Sequence, residues 1–495
     1  MTTSLSKPVE NCPISRPLKV PHLGAPPPRA LAIYFGWVLS EVGVGETVAG
    51  TSRPAERGFA RPQSASAAGR WLPARYGRLG LAGLLATATL IAVSAARTEL
   101  LLPRSLRPVV PNWLAGAFGL DALNLGLAAL IPVLSIMFVC YALVVRFADQ
   151  LSARAVLIGA AGLLSLVLLL APPLLSTDMF SYIAYGRIGA LYGANPYLHG
   201  PSAIAVDPSA SLVGAHWVTT PTVYGPLFTA LSYLLAPFAI AANVLAYKAI
   251  AAISSLVMVG VVWYAARLRG LNPVRSVAIV GLNPVVMLYG VGGGHNDLLM
   301  VAILTTGVYV LLRQNDRASG ALMVAAIAVK LTAALVLPFA LAERAGRRDG
   351  ARSTARLATG VALAAAVIAV GSLVLFATAP VQLLDTLPDI QTSGVLQGIP
   401  GVLLTPFGLQ HHLGGLGLIL NATLVLFIVW LLRRVWIGKL DWITGAGWAT
   451  VALLVSAGGM LPWYVGWLVP LAALSSDRRL LVASVVLTGI GLTTL

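Results

Sequence analysis

The feature that most constrains this chain is a series of apolar runs long enough to cross a membrane. A transmembrane helix needs about 20 apolar residues. Charged residues make up only 10% of the chain, and soluble domains carry about 25%. The sequence therefore predicts an all-α polytopic membrane protein. Full-length runs occur near 79–96, 125–145, 155–175, 241–266, 357–378, 413–432 and 443–460, and shorter runs near 276–291, 297–312, 463–475 and 480–495.

The basic residues favour membrane insertion over nucleic-acid binding. The net charge is +16, but Lys and Arg form short clusters between the apolar runs, a pattern typical of cytoplasmic loops. Three arginines at positions 70, 75 and 78 precede the first run and predict a cytoplasmic N-terminus. Residues 1–70 contain one apolar patch that is too short to span, and we interpret them as a disordered cytoplasmic tail. A misassigned start codon is the alternative. Residues 71–495 form the predicted membrane domain.

The loop 176–240 is the longest between the predicted spans. Arg146 and Arg154 place the preceding loop in the cytoplasm, so the residues after the third run emerge on the outer face. Within this loop, 224–238 reads "YGPLFTALSYLLAPF". As a span it would put the basic stretch "RLRGLNPVR" outside, so we expect a re-entrant or surface helix that ends at Pro237.

The segment 319–344 is predicted to enter the membrane and return. Arginines flank both of its ends, and both flanks therefore favour the cytoplasm. Two half-spans hinged near Lys330 satisfy this pattern, and a simple through-span is the alternative. In either arrangement Lys330 is a buried cation that needs a partner. About 11–13 transmembrane helices are expected, including the two half-spans.

This topology places the polar segments on the outer face. They are 176–240, "GGGHND" (292–297), 379–412 and "LPWY" (461–464). Such a one-sided arrangement is typical of an enzyme that acts at the outer side of the membrane.

Asp178 is the strongest candidate for a catalytic residue. A poorly solvated carboxylate at the outer end of a span suits a general base. Lys330 and Arg187 can neutralise an anion such as a phosphate at the interface. The alternatives are that Asp178 caps a helix or pairs with Arg187, and that the two cations reach for lipid headgroups.

The residues His295, Asn296 and Asp297 follow three glycines that allow close backbone approach. We expect a hydrogen-bonding cluster that faces the site. Metal binding is not favoured, because three consecutive residues of this kind cannot all face one ion. Cys12 and Cys140 do not supply a metal cluster or a disulfide framework.

Several aromatic residues can stack on sugar rings or form the aromatic belt of a membrane protein. No Walker loop is present, so nucleotide binding is unsupported. The aromatic candidates are Tyr182, Tyr185, Tyr192, Tyr197, Tyr224, Trp217, Trp463 and Tyr464.

Six ordered motifs resemble a known family. They are "STDMFSYIAYG", "ANPY", "YGPLF", "LNPVVMLYGVGGGHND", "AIAVKLTAALVLPF" and "LPWY". The chain resembles the polyprenol-phosphate-mannose-dependent α-(1→6)-mannopyranosyltransferases of actinobacteria, over about 71–475. These enzymes belong to the GT-C superfamily and build the mannan backbone of lipomannan and lipoarabinomannan.

The resemblance implies a GT-C fold whose active site lies in the outer loop 176–240. It matches Asp178 to a general base that deprotonates an acceptor hydroxyl, which attacks mannose held as a β-linked polyprenyl phosphate. Inversion gives an α-mannoside, and Lys330, Arg187 and His295 would hold the leaving phosphate without a metal or another cofactor. Further substrate-binding candidates are Asn296, Asp297, Tyr182, Tyr185, Asn195, Tyr197, Tyr224, Trp463 and Tyr464.

The expected partners are the polyprenyl-phosphate-mannose donor, a mannan-type glycolipid acceptor and membrane lipids, with no nucleic acid. One alternative is a transporter or flippase of a lipid-linked sugar, which broken spans and a lysine within the membrane also suit. Another is transfer of glucose or arabinofuranose from a lipid phosphate.

Overall fold

The computed structural model describes residues 67–106, 123–383, 413–456 and 461–493, all within the unit Ala65–Leu495. The predicted tail 1–70 lies outside the described residues except for positions 67–70, which begin the first helix. The regular elements of the described part are helical. The α-helices are α1 (Ala67–Ser94), α2 (Leu127–Arg146), α3 (Ala153–Leu170), α4 (Asp178–Ala190), α5 (Pro226–Leu235), α6 (Ile240–Leu268), α7 (Pro273–Gly281), α8 (Asp297–Leu312), α9 (Asp316–Val329), α10 (Leu337–Ala345), α11 (Gly350–Phe376), α12 (Leu413–Trp436), α13 (Trp442–Ser456), α14 (Val465–Ala473) and α15 (Arg478–Leu492).

Helices of membrane-spanning length confirm the predicted fold class. Among the described residues, five segments are long and apolar enough to cross a membrane: Ala74–Ser94, α2, α6, α11 and Ile419–Trp436. Shorter apolar helices such as α8 and α13 accompany them. Only 11% of the apolar window is buried in α11 and in α12. Exposed apolar surface on such helices suits contact with lipid.

The short helix predicted within the loop 176–240 is present as α5. It has 10 residues, about 15 Å of helix, which is half of a bilayer core. Pro226 occupies its first turn and it ends before Pro237, as expected. A backbone turn then leads into the 29-residue helix α6.

The segment 316–345 does enter and return within the fold. The α-helix α9 ends at Val329, Lys330 is extended (φ −153°, ψ 127°), and a 3₁₀ helix, Leu331–Leu335, leads into α10. The two ends of the segment meet, because Arg344 Nε donates to Asp316 Oδ1 at 2.8 Å. Both of these side chains are 1% exposed. The predicted break at Lys330 is therefore confirmed.

A buried lysine fixes the chain just ahead of Asp178. The ammonium of Lys248, on α6, donates to the carbonyl oxygens of Val167 (3.1 Å) and Pro172 (3.2 Å), and also to that of Ala171. These carbonyls lie at the end of α3, where no helical amide is available to bond them. The cation thus satisfies the end of the third apolar run, which stops being helical at Leu170.

The apolar run near 276–291 is divided instead of forming one helix. α7 ends at Gly281, and the side chain of Asn283 accepts hydrogen bonds from the amides of Val285 and Val286 at 3.0 and 3.2 Å. Pro284 has no amide hydrogen to continue the helix. A π-helix, Val286–Val291, follows and delivers the three glycines and His295 to the site.

Candidate active site

Asp178 is the first residue of α4 and stands where the chain turns sharply. Leu175 has φ +64°, a left-handed conformation that costs a non-glycine residue about 1–3 kcal/mol. The Leu174 amide donates to the Gly292 carbonyl at 3.0 Å, and the Asp178 amide donates to Ser176 Oγ at 3.2 Å. These bonds hold the turn, and they leave the Asp178 side chain 21% exposed.

Asp297 and Lys330 form an ion pair inside the fold. Asp297 is the first residue of α8, and its side chain is 2% exposed. The ammonium of Lys330 lies 2.8 Å from Oδ1 and 2.9 Å from Oδ2, and the indole of Trp467 donates to Oδ1 at 2.6 Å. The sequence predicted that Lys330 is a buried cation that needs a partner. That partner is Asp297, another of the site candidates.

His295 lies between the two carboxylates. Its Nδ1 is 3.6 Å from Asp178 Oδ2 and 3.9 Å from Asp297 Oδ2. The ring stacks on Trp463, with centroids 4.0 Å apart and planes 23° from parallel. Burial lowers the pKa of the imidazole below its usual value, and this outweighs the opposing effect of the two carboxylates. The histidine is therefore neutral at pH 7.

Aromatic rings surround the Lys330 ammonium. The rings of Tyr464, Trp467 and Tyr224 have centroids 4.9, 5.6 and 6.0 Å from it. Such contacts stabilise a cation where water is largely excluded. Tyr224 reaches this position because the next residue, Gly225, donates its amide to the Val329 carbonyl at 3.0 Å.

Tyr182 connects the aromatic group to the His-Asn-Asp segment. Its hydroxyl donates to Asn296 Oδ1 at 3.3 Å, and its ring meets that of Tyr224 edge-on with centroids 4.8 Å apart. The structure thus brings nine sequence candidates into one cluster, which we call the carboxylate–lysine cluster: Asp178, Tyr182, Tyr224, His295, Asn296, Asp297, Lys330, Trp463 and Tyr464.

Arg187 stands apart from this cluster. Its guanidinium contacts both carboxylate oxygens of Asp207 at 3.1 and 3.0 Å and donates to the Phe238 carbonyl at 2.9 Å. Tyr192 also donates to Asp207, at 3.1 Å. These bonds fold the loop 176–240 onto α4, nine residues beyond Asp178, or about 13 Å along the helix.

Three more candidates hold the loop in place. Asn195 donates to the Phe376 carbonyl at 2.8 Å, which ties the loop to the end of α11. Tyr197 donates to the Tyr224 carbonyl at 2.9 Å, and Tyr185 donates to the Thr220 carbonyl at 2.8 Å. The hydroxyl and amide groups of these three side chains donate to backbone carbonyls, so their hydrogen-bond partners belong to the protein itself.

Trp467 and Asp207 take part in these contacts and were not predicted from the sequence. Trp467 lies four residues after Trp463 and three after Tyr464, a spacing that puts all three on one helix face. Asp207 is the only acidic residue in 176–240 besides Asp178, and Arg187 is the only Lys or Arg there. The spacing of Trp467 and the pairing of Asp207 with Arg187 could therefore have been predicted from the sequence. No set of three His, Cys, Asp or Glu side chains in the described part is arranged to hold a metal.

Family models match most of this chain. A model described as alpha-(1->6)-mannopyranosyltransferase, N-terminal domain, matches residues 78–346, which contain eleven of the thirteen residues expected to act in catalysis or substrate binding. A model of the MptB C-terminal domain matches residues 391–494. The first match spans the chain from α1 to the end of α10, including Asp178, Asp297 and Lys330.

Similar proteins occur in Corynebacterium and in Mycobacterium. Alpha-(1->6)-mannopyranosyltransferase A of Corynebacterium glutamicum is 33% identical over 35% of this chain and 35% of its own length. The protein of the same name from Mycobacterium tuberculosis is 29% identical over 64% of this chain and 65% of its own length. Alpha-(1->6)-mannopyranosyltransferase B of C. glutamicum is 27% identical over 62% and 56%. The chain thus spans less than two thirds of each of these relatives. No solved structure matches it.

Proposed function

We propose that this chain, which belongs to the alpha-(1->6)-mannopyranosyltransferase family, is an inverting mannosyltransferase of the cell membrane. The donor is a polyprenyl phosphate mannose and the acceptor is a mannan-type glycolipid. The product is an α-(1→6)-mannoside formed on the outer face, with the N-terminus in the cytoplasm. The names of the relatives support the sugar and the linkage.

The observation that carries this proposal is a single, partly exposed carboxylate next to a buried, charged cluster. Asp178 is 21% exposed, whereas the side chains of His295 and Asp297 behind it are 0% and 2% exposed. Of the cluster's two carboxylates, Asp178 is the one that an acceptor hydroxyl can reach. An inverting transfer in one step needs one general base.

The reaction uses this carboxylate in one concerted step. Asp178 takes the proton of the acceptor hydroxyl, and the acceptor oxygen attacks the anomeric carbon of mannose from the side opposite the phosphate. The bond from the anomeric carbon to the phosphate oxygen breaks, and the polyprenyl phosphate leaves with that electron pair. The configuration inverts, so a β-linked donor yields an α-linked product.

Lys330 is the residue that binds the phosphate of the carrier. An ammonium has three N–H donors, and its side chain remains 12% exposed beside Asp297. A phosphate added to this ammonium gains a charge-assisted hydrogen bond and shares the cation with the carboxylate. Developing charge on the leaving group is thereby stabilised where water is scarce.

Buried donors near Asp178 suit the hydroxyl groups of a sugar. Trp463 Nε1 and Asn296 Nδ2 are buried, and neither has a hydrogen-bond partner among the residues that the structure describes. A buried polar group without a partner costs about 1–3 kcal/mol. A sugar hydroxyl that accepts from these groups relieves that cost, and the ring of Tyr464 offers a face for stacking.

The test is a transfer assay on the purified protein in proteoliposomes. Radiolabelled polyprenyl phosphate mannose and a mannan-type acceptor are supplied, and the product is examined by linkage analysis. We expect a new α-(1→6)-mannosyl residue on the acceptor, with mannose in place of glucose or arabinose as the preferred sugar.

Two outcomes would contradict the proposal. Movement of the labelled lipid across the bilayer without product would indicate a transporter of lipid-linked sugars. Transfer of glucose or arabinofuranose at a higher rate than mannose would indicate a different lipid-phosphate-sugar transferase.

A further inference from the structure

His295 occupies a position that the transfer of mannose does not by itself explain. The imidazole is buried between two carboxylates, and neither ring nitrogen has a hydrogen-bond partner in the described part of the chain. A neutral imidazole carries one N–H and one lone pair. The location of that single proton decides what the residue does.

Close packing restricts the rotation of the His295 ring. It stacks on Trp463 at 4.0 Å on one face. A methyl group at Gly293 would lie 2.8 Å from its Cδ2 and 3.0 Å from its Nε2, so the backbone packs tightly against that edge. Gly294, the residue before His295, has φ +63°, which a glycine adopts without strain. The Nδ1 atom is thereby held facing Asp178 and Asp297.

The two carboxylates differ in the hydrogen bonds that they already accept. Asp297 accepts from Lys330 through both oxygens and from the indole of Trp467. The carboxylate of Asp178 accepts no hydrogen bond from any residue in the described ranges. Nδ1 is also nearer to Asp178, at 3.6 Å against 3.9 Å. A proton on Nδ1 would therefore give Asp178 the hydrogen-bond donor that it lacks, whereas Asp297 already has donors.

We propose that His295 is a positioning residue whose Nδ1–H binds one oxygen of Asp178 and turns the other oxygen toward the acceptor hydroxyl. This inference rests on the proposed function. The distance of 3.6 Å is longer than a hydrogen bond. Hydrogen bonds between catalytic groups are often long before substrate binds and shorten in the complex.

The proton of His295 does not move in this scheme. The acceptor proton goes to the free oxygen of Asp178, and the imidazole remains neutral throughout. The charged groups that act on His295 are Asp178, Asp297 and Lys330, and the third is held by the second.

Substitutions that move the donor test this role. His295→Asn keeps an N–H near the position of Nδ1, whereas His295→Gln places its N–H near the position of Nε2. His295→Phe keeps the ring on Trp463 and removes both nitrogens. We expect the Asn variant to keep most of the turnover. The Gln and Phe variants should lose about 10-fold to 100-fold in kcat, as is usual when the partner that orients an active group is removed.

A further measurement separates positioning from general damage to the fold. The KM for the donor should stay within about twofold in all three variants, since a positioning residue acts on kcat.

The inference and the proposed function fail in different ways. If the wild type forms no mannoside from the labelled donor, the proposed function fails. If the wild type is active and His295→Gln turns over as fast as the wild type, only the role of His295 is overturned. The same holds if His295→Asn is as slow as His295→Gln. That comparison does not need the Phe variant, so it stands even if Phe disturbs folding.

Discussion

The ammonium of Lys330 lies within 2.9 Å of both carboxylate oxygens of Asp297, a residue 33 positions earlier in the chain. Lys330 is the break between α9 and the 3₁₀ helix, and Asp297 is the first residue of α8. The ion pair therefore fastens the turn of the 316–345 segment to the start of a neighbouring helix. An anion that binds Lys330 does so beside a carboxylate already in place.

Lys330→Met should reduce both stability and donor affinity. Removing one partner of a buried ion pair costs about 3–5 kcal/mol, because the other charge stays buried. The affinity for the donor should fall about tenfold or more with the loss of a charge-assisted contact of about 1.5–3 kcal/mol. Thermal unfolding in detergent and titration with polyprenyl phosphate mannose measure the two effects.

The double variant Lys330→Met/Asp297→Asn is the matched control. It removes both charges, so the thermal stability should return toward that of the wild type. Donor affinity should remain low. If affinity returns together with stability, Lys330 supports the fold and does not contact the phosphate.

Asp178→Asn should abolish most of the turnover while leaving the donor bound. The amide keeps the shape of the side chain but cannot accept the acceptor proton, so kcat should fall about 100-fold or more. Glu343→Gln, at the exposed Arg347 pair, is the control for loss of one carboxylate and should be fully active. Near-normal turnover of the Asn variant would indicate that Asp178 only caps the helix.

Arg187→Met should loosen the outer loop with little change in donor affinity. The guanidinium is occupied by Asp207 and the Phe238 carbonyl, so its loss leaves the Asp207 carboxylate without its cation. Limited proteolysis should then cut the chain between 191 and 225 faster than in the wild type. A large loss of donor affinity with an intact loop would instead indicate that Arg187 contacts the phosphate.

Acid should loosen the same loop in the wild type. Burial alone would raise the pKa of Asp207, but hydrogen bonds from Ser209, Arg187 and Tyr192 hold that pKa below its usual value of 3.8. Because the folded pKa is the lower one, the stabilisation is complete above about pH 4 and is lost as the pH falls through the folded pKa. Proteolysis by an acid-active protease should accelerate in that range, and Asp207→Asn should remove the dependence.

Gly225→Ala should separate Tyr224 from Lys330. A Cβ at position 225 would lie 2.1 Å from the carbonyl oxygen of Ala328, a backbone atom that cannot move aside. Transfer activity should fall at least about tenfold, since shifts of about 1 Å at a site can cost 100-fold. Gly466→Ala is the control, because a Cβ there meets nothing within 4 Å. Equal activity of the two variants would show that the close approach is unimportant.

Single cysteines can test the sidedness of the fold. Ser202 in the outer loop and Arg348 after α10 are both exposed. In a background without Cys12 and Cys140, Ser202→Cys should react with an impermeant thiol reagent added outside intact cells, and Arg348→Cys should not. Labelling of both from outside would contradict the proposed orientation of the 316–345 segment.

Much of the fold follows from local sequence patterns. The return of the 319–344 segment was predicted from arginines at both of its ends, and one of them, Arg344, turns out to bond Asp316 across the closed ends. The short helix α5 was predicted because a full span would have inverted the next basic loop. Charge placement along the chain was sufficient for both.

The partners within the site could not be predicted in the same way. Asp297 and Lys330 belong to separate motifs, and no local rule joins residues of two helices that meet only in the folded chain. Arg187 and Lys330 looked alike as cations near Asp178, yet one bonds Asp207 and the other Asp297. Counting the acidic residues of the outer loop would have separated them.

Because the two ends of the 316–345 segment contact each other, the number of residues in α9 is fixed. This helix has 14 residues, a rise of about 21 Å from Asp316 to the break. One inserted residue would rotate everything after it by about 100° around the helix axis. Lys330 would then face away from Asp297, and Arg344, which also follows the insertion, would no longer meet Asp316. Related chains should therefore exchange one apolar residue for another freely in α9, while insertions and deletions there are rejected.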